Sequence, residues 1–202
     1  MVRTVKDRIT LLKDVLPKEA VCAEVGVCEG EFARQILKHS RPRRLHLIDV
    51  WAGIGACGAV GTTDEVSRRR LQQVSWDFDA QIKSGKAMLH QGLSALVLES
   101  FKASYFDWVY VDADHSYEGL LRDLWALHIS QSIRDDGLIA GHDYGTAEDL
   151  PKMAHPCPGV AQAVDEFCER CGWELVCRTE VGPREGEDPD GSNAPSFVLA
   201  RR

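Results

Sequence analysis

Helix-forming and strand-forming patterns alternate along this chain of 202 residues. Segments with apolar residues at helical spacing are separated by short β-branched or aromatic runs, which are bounded by glycine, proline or polar residues. The strongest strand pattern lies in YFDWVYVDADH, residues 105–115, where the apolar run indicates burial on both faces. Such alternation predicts an α/β fold, with a mostly parallel sheet and helices on both of its faces.

The end of the chain breaks this alternation. Residues 173–179 (WELVCRT) and 196–202 (SFVLARR) are strand patterns with no helical pattern between them. Successive strands without a crossover helix pair antiparallel. We therefore expect a single domain over residues 1–202, with a seven-stranded, mostly parallel sheet, a C-terminal antiparallel hairpin and an N-terminal helix in residues 1–17.

Composition limits the partners of this domain. The chain carries 24 Lys and Arg against 31 Asp and Glu, a net charge of -7, which repels nucleic acid and anionic membranes. We expect neither as a partner, and a cytoplasmic location, because no targeting or membrane-spanning pattern is found. The seven cysteines are interpreted as reduced thiols. Cys168 and Cys171 form a CxxC that would suit zinc or redox chemistry, but their helical spacing favours packing. The sequence leaves open whether the chain forms a homo-oligomer.

A GxGxxG motif, GIGACG at residues 53–58, suggests a dinucleotide-binding loop. That motif binds phosphates only when it connects a strand directly to a helix. Here the glycines follow the second strand and its terminal acid, and the next helical pattern begins near Thr63. We interpret the segment as a flap, and predict that residues 51–75 and 181–195 are mobile lid or substrate segments.

The first strand-to-helix turn is EVGVCEG, Glu24 to Gly30. Gly26 and Gly30 allow the backbone to approach a ligand, and the following helix offers its N-terminal amides. Glu24 would repel a pyrophosphate but suits a cationic ligand. Asp49 ends the next strand and can accept hydrogen bonds from ribose hydroxyls. The turn therefore predicts a binding site for a positively charged nucleoside-type ligand.

Acids and histidines end the next two strands of the predicted sheet. Asp112, Asp114 and His115 follow the fourth strand, and His142 and Asp143 follow the fifth. Adjacent parallel strands lie about 4.8 Å apart, so these side chains should converge. Two carboxylates and an imidazole suit Mg²⁺ or Mn²⁺, and an imidazole can also remove a proton from a hydroxyl. The alternative for either acid alone is capping of a helix or turn.

From about Ala20 onward, the sequence resembles the class I S-adenosylmethionine-dependent methyltransferases. It is most similar to a small bacterial subgroup that methylates hydroxyls of sugars and natural products. Three ordered motifs carry this resemblance: VDADHSYEGLLRDL (111–124), GLIAGHDYG (137–145) and PGVAQAVDEF (158–167). The resemblance implies a Rossmann-like fold, S-adenosylmethionine as the cofactor and a small-molecule acceptor such as a sugar or polyol hydroxyl.

The resemblance also implies roles for residues around the cofactor. Glu24 is expected near the methionine ammonium, Gly26 beneath the cofactor and Asp49 at the ribose. The segment from Gly92 to Ser94 is expected to border the adenine. Asp112 is expected to contact both the cofactor and the metal ion.

Metal-dependent relatives have an acid that matches Asp112 and an adjacent pair that matches His142 and Asp143. His142 stands where several relatives carry a carboxylate, so its role as metal ligand or general base is open, and we favour the base. His115 is a second candidate base. The rival hypotheses are a metal-independent methyltransferase with a histidine base, and a non-haem iron hydroxylase using His142, Asp143 and His155.

Overall fold

A computed structural model of the chain describes residues 2–52, 63–182 and 193–202, so GIGACG lies outside the described residues. The strands are β1 (Arg3–Val5), β2 (Val21–Val25), β3 (Arg44–Asp49), β4 (Ala87–Gln91), β5 (Phe106–Val111), β6 (Ile133–Gly141), β7 (Trp173–Thr179) and β8 (Phe197–Arg201). The helices are α1 (Arg8–Asp14), α2 (Glu31–His39), α3 (Asp64–Asp77), α4 (Asp79–Lys83), α5 (Ser94–Glu99), α6 (Tyr117–Ser130) and α7 (Pro158–Cys171), with a 3₁₀ turn at Leu150–Lys152. Each of these helices falls short of the length and apolar character that a membrane crossing requires.

The described strands form one sheet of eight, in the order β1-β7-β8-β6-β5-β2-β3-β4. β8 runs antiparallel to β6 and β7, and every other pair is parallel. The predicted Rossmann-like α/β fold with a C-terminal antiparallel hairpin is confirmed. The sequence patterns indicate seven strands, and the structure adds β1 at the sheet edge.

The N-terminal segment differs from the helix expected over residues 1–17. Val5, within the expected helix, lies instead in β1 and pairs with Thr179 of β7. The helix itself is shorter and begins at Arg8, after the N-cap Asp7 accepts a hydrogen bond from the Thr10 amide at 2.7 Å. The partner strand of β1 is far away in sequence, so a local pattern could not indicate it.

Alternate side chains of the central strands enter two separate cores, one on each face of the sheet. In β5, Trp108 and Tyr110 pack with α1, α2 and α3, whereas Val109 and Val111 pack with α5, α6 and α7. This period of two is the ordinary geometry of a strand buried on both faces. The result is a three-layer arrangement with the sheet in the middle.

The direction of strand progression reverses between β2 and β5. β2 pairs with β3 on one side and with β5 on the other. In open parallel sheets, ligands bind beyond the carboxyl ends of the strands at such a point. The register aligns Val25 with Val111, and Val111 with Gly141. The residues that follow, Gly26, Asp112 and His142, therefore meet at one edge of the sheet.

Candidate active site

Two acids and two histidines cluster at this edge, beyond β5 and β6. The Nδ1 atom of His142 lies 3.7 Å from Oδ1 of Asp112 and 3.6 Å from Oδ2 of Asp143. His115 approaches from the loop after β5, with Nε2 at 3.9 Å from Oδ1 of Asp112 and Nδ1 in direct contact with Oδ2 of Asp143. The structure therefore brings together four of the five residues that the sequence predicted at this site. Asp114 instead accepts a hydrogen bond from the Ser116 amide at 2.9 Å, at the start of α6.

Charges within this cluster shift the pKa values of its members. The hydrogen bond with Asp143, followed by that with Cys157, raises the pKa of His115 to about 11. Burial raises the pKa of Asp112, and the Asp143 carboxylate adds to this effect. Burial opposes charge on His142, yet Asp112 and Asp143 together raise its pKa. Burial likewise opposes charge on Asp143, but the hydrogen bonds with His115 and His142 lower its pKa. The His115 imidazole is therefore protonated at neutral pH in this state and balances the charge of Asp143.

The donor atoms of Asp112, His142 and Asp143 fit around one cation. All three lie within 4.8 Å of one another. For an octahedral ion with bonds of about 2.1 Å, ligand atoms lie about 3.0 Å apart when adjacent and about 4.2 Å when opposite. The distances of 3.6 and 3.7 Å from Nδ1 of His142 exceed the adjacent spacing, so the side chains would move closer by several tenths of an ångström around a bound ion. Oxygen donors with a single imidazole suit Mg²⁺ or Mn²⁺.

The backbone at Asp143 adopts an uncommon conformation that directs its side chain into this cluster. Its φ is 63°, in the left-handed region, which aspartate tolerates better than most residues. A tight turn holds it there, because the Gly145 amide donates to the Asp143 carbonyl at 2.8 Å. Backbone strain of this kind is concentrated at functional sites.

Glu24 lies beside the cluster at the end of β2 and is 2% exposed. Its Oε2 atom has no hydrogen-bond partner in the described part of the chain. Burial raises the pKa of Glu24 well above its usual value, and Asp112 raises it further. A buried carboxyl of this kind gains stability from a positively charged ligand group, as the sequence pattern predicts.

Gly26 and Gly30 have structural roles in the turn between β2 and α2. Gly26 has a φ of 91°, and an added Cβ would lie 2.0 Å from the Asp112 carbonyl oxygen. Gly30 caps α2 with a φ of 77°, and its Cβ would lie 2.9 Å from the Phe78 ring. Glycine is therefore needed at both positions for close packing, with or without a ligand.

Asp49 ties this turn to the end of β3. Its Oδ2 accepts a hydrogen bond from the Cys28 amide at 2.8 Å, and its Oδ1 accepts one from the Trp51 amide at 2.8 Å. The Trp51 indole donates to the Cys28 carbonyl at 3.0 Å. Each carboxylate oxygen keeps a further acceptor position, so these bonds leave room for a ribose hydroxyl.

Gly92 and Ser94 follow β4 on the other side of Asp49. The Gly92 amide donates to the Asp49 carbonyl at 3.0 Å, and the Ser94 hydroxyl donates to Oδ1 of Asp123 at 2.5 Å. Asp123 is 1% exposed, and burial raises its pKa to about 6. The Ser94 hydroxyl is thus engaged with α6, and its expected position at the adenine stays a prediction.

Comparison with known proteins identifies the family. A family model described as a methyltransferase domain matches residues 23–144, which run from β2 through Asp143. The chain belongs to this methyltransferase family. Its fold and family together support a class I S-adenosylmethionine-dependent methyltransferase. A comparison with the curated proteins gave no match.

Solved structures with a similar fold include methyltransferases and also spermidine synthases. The Escherichia coli protein yhhF, described as a methyltransferase, has a TM-score of 0.57 at 16% identity, covering 98% of this chain and 88% of that one. The B. subtilis tRNA methyltransferase TrmK has a TM-score of 0.57 at 12% identity, covering 98% and 67%. The SAH-bound Podospora anserina methyltransferase PaMTH1 has a TM-score of 0.58 at 14% identity, covering 90% and 71%. At these identities the similarity shows the fold alone.

Two residues that contact the site of this methyltransferase were missed at the sequence level. Arg8 of α1 is 2% exposed, lies over the Phe32 ring and places its guanidinium 3.9 Å from Asp112. Its spacing to Leu11 and Leu12 put it on the apolar face of a helix, which was the available signal. Cys157 lies 3.9 Å from His115, in a loop where no sequence pattern indicated proximity.

The rival arrangement for a non-haem iron site is not formed. Among residues 2–52, 63–182 and 193–202, the groups that could hold a metal include His142 and Asp143 but not His155. The six cysteines described, including Cys168 and Cys171, are free thiols.

Proposed function

We propose that this methyltransferase transfers the methyl group of S-adenosylmethionine to a hydroxyl of a sugar or another small natural product, with the assistance of Mg²⁺ or Mn²⁺. One observation carries the proposal. Asp112, His142 and Asp143 meet at the point where the sheet reverses direction, directly beside the turn that contains Glu24. A metal site and a cofactor site at one edge suit the transfer of a methyl group to an oriented oxygen.

The cofactor would lie across the ends of β2, β3 and β4. Glu24 would pair with the methionine ammonium, because among the described residues Oε2 of its buried carboxyl has no hydrogen-bond partner. Asp49 would accept from the ribose hydroxyls, and the segment from Gly92 to Ser94 would border the adenine. Gly26 and Gly30 shape the turn beneath the ligand.

The cation would be held by Asp112, His142 and Asp143. When bound, it would stabilise the negative charge that develops on the acceptor oxygen. The role of the protein is to align that oxygen with the methyl group, since methyl transfer is an in-line displacement. The fixed ends of β5 and β6 give the three side chains this rigidity.

The two histidines differ in exposure, and this separates their proposed roles. The His142 side chain is 3% exposed and directs Nδ1 at both carboxylates, which suits a metal ligand. The His115 side chain is 34% exposed and holds Nδ1 against Asp143, which leaves Nε2 for the proton of an acceptor. We therefore assign the general base to His115, an effect of about 10²- to 10⁴-fold. In this structure the Asp143 carboxylate keeps the imidazole protonated, because it raises the pKa of His115 to about 11. A cation held by Asp112 and Asp143 would offset that negative charge and lower the pKa, so the base role of His115 requires the metal. A base role for His142, favoured from sequence, is the alternative.

A small acceptor is favoured over nucleic acid by the net charge of -7. TrmK is described as a tRNA methyltransferase, but at 12% sequence identity its similarity to this chain extends only to the fold. Trp51 is 2% exposed, so it serves packing rather than stacking on a sugar.

The proposal is tested by methyl transfer from labelled S-adenosylmethionine to a panel of sugars, polyols and natural products, with Mg²⁺ or with a chelator. We expect Asp143→Asn to lose metal-stimulated turnover while calorimetry shows unchanged cofactor affinity. Asp136→Asn is the matched control, because Asp136 is 89% exposed and far from the cluster in the fold. Full activity of the chelated wild type would favour the metal-independent alternative.

The base assignment is tested separately. We expect His115→Ala to lower kcat by about 10²-fold or more while metal affinity changes less, and His142→Ala to weaken metal binding. If His142→Ala instead lowered kcat and His115→Ala weakened metal binding, the general base would be His142.

A further inference from the structure

Cys157 lies on the outer side of the acid and histidine cluster. Its Sγ is 3.9 Å from Nδ1 of His115, and the same Nδ1 contacts Oδ2 of Asp143. The ligand atoms of these three residues all lie within 4.8 Å of one another. The function proposed above makes no use of the thiol.

We propose that His115, Asp143 and Cys157 form a second metal site, which takes a borderline-soft divalent cation such as Zn²⁺. Thiolate and imidazole are ligands that zinc prefers, whereas magnesium takes oxygen donors and does not take thiolates. The neighbouring group of Asp112, His142 and Asp143 is richer in oxygen. The two groups therefore differ in the class of metal they select, although Asp143 belongs to both.

The distance between the imidazole nitrogen and the thiol sulfur is close to that of a tetrahedral zinc site. With bonds of about 2.0 Å to nitrogen and oxygen and about 2.3 Å to sulfur, adjacent N and S ligands lie about 3.5 Å apart. The measured Nδ1 to Sγ distance of 3.9 Å needs a shift of only a few tenths of an ångström. Zinc would replace the proton that joins His115 to Asp143, so these two atoms would move apart. Three protein ligands leave the fourth position open to water.

The surroundings of the trio favour a bound metal. Cys157 is the N-cap residue of α7 and makes no side-chain capping bond. A metal-bound thiolate there would carry its negative charge at the positive end of the helix dipole. Cys157 and His115 are both partly exposed, which gives an ion access.

The site is tested by titrating the full chain with Co²⁺, a spectroscopic substitute for Zn²⁺, and recording the thiolate-to-cobalt charge-transfer absorption in the near ultraviolet. We expect this absorption in the wild type and its displacement by Zn²⁺. Cys157→Ser should abolish it and weaken Zn²⁺ binding by more than about 100-fold, because even the loss of an outer partner costs about 10- to 100-fold. Cys171→Ser, a partly buried cysteine at the far end of α7, is the matched control and should titrate like the wild type.

Circular dichroism establishes that the variants are folded. A second measurement avoids variants altogether: Zn²⁺ should protect Cys157 of the wild type from alkylation, as read by mass spectrometry. Absent thiolate absorption in the wild type, an unchanged titration of Cys157→Ser, or unprotected alkylation would each overturn the proposal. Neither readout involves methyl transfer, so this site and the proposed reaction can fail independently.

Discussion

Replacement of Gly26 by alanine should destabilise the fold considerably more than the same exchange at Gly85. Both glycines have positive φ values, 91° and 73°. At Gly26 the new Cβ would lie 2.0 Å from the Asp112 carbonyl oxygen and 2.7 Å from the Ala113 Cα, whereas nothing lies within 4 Å at Gly85. The pair therefore separates the cost of the backbone conformation from the cost of crowding.

The magnitudes follow from these two contributions. A left-handed conformation costs an L-residue about 1–2 kcal/mol, and alanine recovers about 0.4–1 kcal/mol by restricting the unfolded chain. Gly85→Ala should therefore lose about 1 kcal/mol. Crowding against backbone atoms, which cannot turn aside, adds about 1–3 kcal/mol or more. We expect Gly26→Ala to lose about 2 kcal/mol more than Gly85→Ala, within the 5–15 kcal/mol typical of a domain.

Urea unfolding followed by circular dichroism measures this difference, provided that both variants keep the wild-type m-value. Cofactor affinity gives a second readout. Relief of the contact would displace the backbone of Asp112, so Gly26→Ala should bind S-adenosylmethionine more weakly at temperatures where it is folded, and Gly85→Ala should bind normally. Equal unfolding free energies for the two variants would refute the close approach of β2 and β5.

Three further predictions concern buried polar groups. Glu24→Gln should weaken S-adenosylmethionine binding by about 10- to 100-fold in calorimetry, because a charged hydrogen bond is lost. It should not lower the unfolding free energy of the ligand-free protein. An unchanged affinity would exclude the contact between Glu24 and the methionine ammonium. Burial, followed by His90, lowers the pKa of His46 from 6.5 to about 3, so the unfolded chain binds a proton between these pH values that the folded chain does not. The unfolding free energy should thus fall as pH decreases below about 6.5. In urea unfolding at a series of pH values, His46→Phe should reduce the slope of the unfolding free energy against pH by up to about 1.4 kcal/mol per pH unit. Equal slopes for the variant and the wild type would contradict this. Ser94→Ala removes the hydrogen bond to buried Asp123 and should lower the unfolding free energy by about 1–3 kcal/mol, as measured by thermal unfolding. An unchanged unfolding free energy would contradict this prediction.

The fold class followed from local patterns because helix and strand periodicities are properties of neighbouring residues. The alternation along the chain predicted the parallel sheet, and the strand pair without a crossover predicted the hairpin. The same reasoning placed Asp112, His142 and Asp143 together, since parallel strands bring their carboxyl ends to one edge. The predicted lid segments are 51–75 and 181–195, of which residues 53–62 and 183–192 lie outside the described residues. Residues 64–75 of the first segment belong to helix α3, and the mobility of both segments stays a prediction.

The sequence by itself determined the layered α/β fold and the residue types at the strand ends. Only the tertiary structure decided the contacts between them. β1 joins β7 across nearly the whole chain, Arg8 reaches Asp112 from α1, and Cys157 reaches His115 from the loop before α7. The His115 contact with Asp143 and the engagement of Ser94 by Asp123 are of the same kind. Periodicity reports which face of an element is buried, whereas these contacts depend on loop paths and side-chain directions that are fixed only when the layers pack.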